Sequence, residues 1–237
     1  MHSSLRSLAP VALLAVIALA GCSAPAGDDA EPQGASSAPA SQSSAAEEEA
    51  APAELIDAAT LEGYVEAAGL QPIDIEGQGG VEALAGGLAG FTVEPAECQA
   101  LIDSSFALTV ENESTVAIGA DQEAGVSGGI MSFADPSVVA DALERNAAAP
   151  QTCAQVTLTA EDGTEVASRI EAVDVDIPGA DDVFALRTVA SVAGTEMTSV
   201  SVSASVGNAI ATGSTLMTDD VAAATTVTQA LVDQLAG

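Results

Sequence analysis

The chain has three cysteines, Cys22, Cys98 and Cys153, and they are its only candidates for thiolate chemistry. Their company limits what they can do. The one histidine is His2, there is no lysine, and the basic residues are Arg6, Arg145, Arg169 and Arg187. A thiol without a neighbouring histidine or lysine lacks the usual means of lowering its pKa. The same absences exclude a Ser-His-Asp triad, a Cys-His pair, a Schiff-base lysine and the lysine of a P-loop. Too few His and Cys ligands exist for a zinc site, so no metal is assigned and no cofactor is expected.

Carboxylates are the abundant reactive groups. Thirty-five Asp and Glu give a formal net charge of −31. Nucleic acid and anionic headgroups both need basic contacts, so neither is an expected partner. Asp181–Asp182, Asp219–Asp220 and Glu161–Asp162 are the acidic pairs that come closest to a cation site, but none has EF-hand spacing. Paired carboxylates can also hydrolyse glycosides, yet no pair stands out from the rest. The glycine-rich run 76–90 lacks the spacing of a nucleotide-binding loop and is read as a flexible loop. With one tyrosine, four phenylalanines and no tryptophan, an aromatic stacking platform is not expected.

The N-terminus supplies an address. Arg6 precedes an apolar run over 8–19 that is too short to span a bilayer, and the run ends in "LAGC" at 19–22. Small residues ahead of a cysteine resemble a bacterial lipobox. That resemblance implies that 1–21 is a lipoprotein signal peptide and that Cys22 is the lipidated first residue of the mature chain. A diacylglyceryl anchor is stable on a membrane surface. The expected location is therefore the extracytoplasmic face of the cell membrane, where disulfides persist. Residues 23–53 carry no aliphatic side chain larger than alanine. Together with Cys22 they are read as a disordered Ala/Ser/Pro/Glu tether over 22–53, with a random-coil span of about 30 Å.

Residues 54–237 are enough for a single extracytoplasmic domain with a core. In "TLEGYVEAAG" (60–69), Leu61, Tyr64, Val65 and Ala68 make a helical stripe between Thr60 as cap and Gly69 as stop. Pro95 suits the first turn of a helix carrying Cys98, Leu101 and Ile102 on one face. "FALTV" (106–110), "TVAIG" (115–119) and "GIMSF" (129–133) read as strands, the first two flanking a turn at Asn112. Asp135 and Pro136 open a helix with a Val138, Val139, Ala142, Leu143 stripe, on which Asp141 and Arg145 are spaced as an ion pair. Hairpins are predicted at Asp162-Gly163 and Gly207-Asn208. In the last, Val200, Val202, Ala204 and Val206 alternate with serines. A closing helix follows Asp219 and Asp220, with Val221, Ala224, Thr228, Leu231 and Leu235 on one face. Short turns between consecutive strands make them antiparallel. The predicted class is α+β: an antiparallel sheet with helices packed on one face and one disulfide.

With Cys22 acylated, Cys98 and Cys153 remain as an even pair in an oxidising compartment, and a structural disulfide is predicted. "VEPAECQALI" (93–102), the helix over 136–147, "PQTCAQVTL" (150–158) and the late strand–turn–strand before a final helix together resemble the PknH-like extracellular sensor domain, over roughly 91–235. The resemblance implies structural disulfides on a sheet-and-helix domain with a ligand groove, and carries over no ligand-contacting residue. The leading functional reading is a non-catalytic sensor, or a domain binding an unidentified envelope ligand or protein partner. Arg169 and Arg187, rare cations at strand positions, are its candidate binding residues. A carrier of lipid or another hydrophobic ligand is the alternative. A carboxylate- or metal-dependent enzyme is the third reading.

Overall fold

The computed structural model describes residues 53–80, 90–99, 108–192 and 194–237. Cys22, the signal segment and nearly all of the tether lie outside the described residues, as do Leu101, Ile102, Phe106 and most of the glycine-rich run.

Among the described residues nine strands form one antiparallel sheet. In chain order they are β1 (Gln71–Pro72), β2 (Thr92–Glu94), β3 (Ser114–Asp121), β4 (Val126–Phe133), β5 (Gln155–Thr159), β6 (Glu165–Ala172), β7 (Val183–Val192), β8 (Thr195–Val206) and β9 (Ala209–Thr215). Three α-helices lie wholly within the described residues: α1 (Ala58–Ala67), α2 (Pro136–Thr152) and α3 (Val221–Ala236). The strand order is β1-β3-β4-β9-β8-β7-β6-β5-β2. Strands β5 to β9 are thus a continuous meander, and the β4–β9 pairing closes it onto the β3–β4 hairpin. None of the helices described here is long and apolar enough to cross a membrane.

The predicted class, sheet and disulfide are all present. Alternation along each strand sends neighbouring side chains to opposite faces. Phe184 and Leu186 of β7 join a core with Val139, Ala142 and Leu143 of α2. Ala185 between them joins another core, with Leu61 and Val65 of α1 and Leu231 and Val232 of α3. The expected helical layer on one face is made by α1 and α3; α2 adds a second layer on the opposite face. α3 lies on β8, β9 and β4, and α1 on β3 and β4.

Two features let α3 approach closely. A Cβ added at Gly213 would lie 2.5 Å from the carbonyl oxygen of Ala224, so only glycine leaves room there. Thr228 Oγ1 sits 2.9 Å from the Val202 carbonyl oxygen and 3.0 Å from that of Ala224, so its hydroxyl is satisfied in the core.

The serines of β8 do not face water. Ser201, Ser203 and Ser205 are all buried, opposite the Val200, Val202 and Ala204 side. They persist in the interior because each finds a partner. Ser203 and Thr212 share a 2.9 Å hydroxyl pair, Ser214 donates to Ser201, and the Asp182 N–H donates to Ser205.

Local caps follow the predicted chemistry with some corrections. α1 is capped by Asp57, three residues ahead of the expected Thr60, and Thr60 instead donates its N–H and hydroxyl to Asp57. Asp135 caps α2 and Asp220 caps α3. Asp57, Asp135 and Asp162 all have carboxyls held below the ordinary value of 3.8, because hydrogen bonds favour the charged form. The donors are Thr60, Ser137 and Thr164 respectively. Behind Pro95 stands a short 3₁₀ turn, Ala96–Cys98, and Pro95 itself is extended. The strand expected over 106–110 is absent from its described part: residues 108–111 are helical. Asn112 Nδ2 donates back to the Leu108 carbonyl and closes that turn, a local bond that outweighs the β-propensity of the run. Arg145 makes no ion pair with Asp141, and its Nε is buried.

Candidate ligand-binding groove

α3 stops short of β5, β6 and β2. Among the described residues no element therefore covers the face of those strands turned away from α2, and a groove of about 900 Å³ runs over it. Register alone brings its floor together. Glu94 lies opposite Thr157, Thr157 opposite Ala167, Ala167 opposite Ser191 and Ser191 opposite Glu196. One row crosses five strands, with a carboxylate at each end and small side chains between. Two residues along, Gln155, Arg169 and Val189 form the next row. Pro95 and Ala96 wall the groove at the β2 edge.

Its polar groups are mostly unspent. Arg169 Nε donates to Glu171 Oε1 at 2.8 Å, and no other described residue pairs with that guanidinium. The side chains of Glu94, Gln155, Thr157, Ser191 and Glu196 make no hydrogen bond or ion pair within the described residues. An array of open donors and acceptors over a floor of small residues suits a polar ligand.

The two arginines expected to share a site divide between two jobs. Arg169 lines the groove. Arg187 stands one row further, opposite Glu171, where Nε donates to Asp219 Oδ1 at 2.7 Å and Nη1 lies 3.8 Å from Glu171 Oε2. Arg187 marks the boundary where α3 begins to cover the sheet: Val189 beyond it is in the groove, Ala185 before it is in the core. Glu171 touches both guanidiniums, so Arg169, Glu171, Arg187 and Asp219 form one ionic chain.

Cys98 and Cys153 are bonded, with Cα atoms 5.9 Å apart, and both are buried. Cys98 follows the Pro95–Ala96 wall, and Cys153 ends α2 two residues before Gln155. The bond fastens the groove's rim to its floor.

The acidic pairs have structural partners. Asp219 pairs with Arg187, Asp220 caps α3, Asp181 accepts from the Gly207 N–H, and Asp162 accepts from the Thr164 N–H in the β5–β6 turn. No group of three or more acidic, His or Cys side chains is placed to hold a metal among the described residues.

Sequence reasoning passed over Glu94, Gln155, Thr157, Ser191 and Glu196. Their types are ordinary for a surface, and only the pairing of five strands puts them on one floor. The nearest signal was the mixed alternation of β6, where Val166 and Ile170 alternate with Ala167, Arg169 and Glu171.

No family model matches the chain. No curated protein matches it. Among solved structures it is similar to the extracellular domain of PknH from Mycobacterium tuberculosis, with 14% sequence identity and a TM-score of 0.45, over 76% of this chain and 92% of that one.

Proposed function

We propose that this protein is a lipid-anchored, non-catalytic binding domain of the bacterial envelope, presenting its groove to a small polar ligand outside the membrane. The observation that carries the proposal is the bare sheet face with unspent polar groups. Such a surface is costly to leave dry and is well placed to trade bound water for ligand contacts. The floor of Thr157, Ala167 and Ser191, flanked by charge, offers an acyl chain little apolar cover, which disfavours the carrier reading. The "LAGC" stretch at 19–22 supports an anchor at Cys22, and the tether behind it would hold the domain clear of the headgroups.

Hydrogen exchange of the full chain in detergent, with and without a soluble cell-wall digest, tests the groove. Protection confined to peptides over 92–96, 155–157, 167–169 and 189–196 is the expected result. Protection elsewhere, or none, removes the proposal. The anchor is tested by the intact mass of protein extracted from membranes. A chain beginning at Cys22 with a diacylglyceryl adduct is expected, and an unmodified Cys22 overturns the anchor.

A further inference from the structure

The groove holds one guanidinium between two carboxylates, and this arrangement restricts its ligand beyond the general reading above, on which the following rests. Arg169 is on β6. Glu94 is two strands away on β2, and Glu196 is two strands away on β8. Each glutamate is also one row along. At about 4.8 Å per strand and 3.4 Å per residue, each glutamate Cα stands about 12 Å from the Arg169 Cα. The cation is therefore centred between two equivalent acids.

Charge narrows the ligand class. A purely anionic ligand must approach a chain of net charge −31 that offers one arginine in this groove. A purely cationic ligand lying along the floor must pass beside Arg169. A molecule carrying both signs satisfies all three groups. Arg169 holds Glu171 through Nε, which leaves its Nη groups to face a planar acid, and a guanidinium edge fits a carboxylate in two parallel hydrogen bonds. Glu94 and Glu196, without partners among the described residues, are acceptors for an ammonium.

The backbone adds an amide partner. The Val93 N–H points away from β5 to Gln99 Oε1, and the Ala154 carbonyl accepts from the Ile170 N–H on β6. By strict alternation, Gln155 presents its N–H and carbonyl to the side of β2. β2 ends at Glu94, opposite Thr157, so no described strand lies opposite Gln155. The Gln155 peptide group is open to a ligand amide at the groove's edge.

We infer that the groove takes a short zwitterionic peptide, its carboxylate on Arg169 and its ammonium on Glu94 or Glu196. After the side chains reach in, an extended peptide of two or three residues, about 7–10 Å long, spans the remaining distance.

The test is calorimetry at low ionic strength on the full chain in detergent, with three probes. They are triglycine with free termini, N-acetyl-triglycine and triglycine amide. The free peptide binds tightest, and each blocked form binds at least about tenfold more weakly, the loss of one charged contact. In Arg169→Gln the free peptide binds no better than the amide. In the double variant Glu94→Gln, Glu196→Gln it binds no better than the acetylated form. All three side chains are on the bare face, and unchanged circular dichroism establishes that the variants fold. Equal affinity for the three probes overturns the inference, and so does failure of free triglycine to bind. If the cell-wall digest still protects the groove while triglycine does not bind, the zwitterion falls and the groove stands. If the digest protects another surface, both fall.

Discussion

The centre of the sheet and the half that runs out to β2 use similar strands differently. Over 200–205 β8 alternates valine or alanine with serine, and both faces of that stretch are buried. β6 alternates apolar residues with alanine, serine and charge, and one of its faces is open. On β8 small hydroxyls pair with neighbours, so a helix can lie on one side and further structure on the other. On β6 the outward row carries Arg169 and Glu171, whose charges need water or each other. What separates the regions is less the pattern than the reach of α3. Gly213 and Thr228 draw that helix tightly onto β9 and β8, and it ends its coverage at Arg187. A sheet wider than its helix leaves a shelf, and the shelf is the groove.

Breaking the Cys98–Cys153 bond gives the largest effect on the open half. A cross-link closing a separation of 55 residues contributes about 4 kcal/mol in the chain-entropy model. The double variant Cys98→Ser, Cys153→Ser therefore lowers the urea midpoint by that equivalent. Exchange quickens at Thr92–Cys98 more than in α3, and uniform quickening would contradict the role as a rim fastener.

Packing substitutions sharpen the contrast next. Gly213→Ala drives a Cβ against the Ala224 carbonyl under α3 and costs about 3 kcal/mol by urea unfolding. Ala167→Ser, on the bare floor, stays within about 0.5 kcal/mol. Similar costs at the two sites would mean that the floor is covered.

A smaller effect comes at the boundary. Arg187→Gln removes the pairs with Asp219 and Glu171, both partly exposed, and costs about 0.5 kcal/mol at low salt. The loss fades as salt is added, because exposed pairs are screened. A cost that salt leaves untouched would assign Arg187 a packing role instead.

The mildest test uses acid. The Asp57, Asp135 and Asp162 carboxyls lie below 3.8 in the folded chain. The unfolded state then takes up protons first, so their contribution is complete above that ordinary value and is lost as pH falls through the folded values. Urea midpoints should drop below about pH 4. The drop is smaller in Asp135→Asn, which has no charge to lose at the α2 cap. An equal drop would place the acid-sensitive group elsewhere.

Much of the fold was written in local signals. Asp135-Pro136 opened α2, Gly207-Asn208 turned β8 into β9, and Asp162-Gly163 turned β5 toward β6. The exceptions were also local: Asp57 outcompeted Thr60 as a cap, and Asn112 held residues 108–111 in a helical turn. The candidate site was nearly illegible. Arg169 and Arg187 look alike as isolated cations in strands. One lines the groove and the other ties β6 to the start of α3, a difference set by one row of register.

The sequence by itself determined the absence of histidine and lysine chemistry, the acidic charge and much of the order of elements, and it pointed to the pairing of Cys98 with Cys153. The first three depend on composition and on contacts between near neighbours, which the order of residues states directly; the cysteine pairing spans 55 residues and was reached by counting thiols. Only the tertiary structure decided which sheet face stays bare and which side chains share it. Glu94 and Glu196 are 102 residues apart and share one floor because five strands align in register. That alignment is set by which apolar rows each helix can bury, a property of the assembled sheet that no single strand encodes.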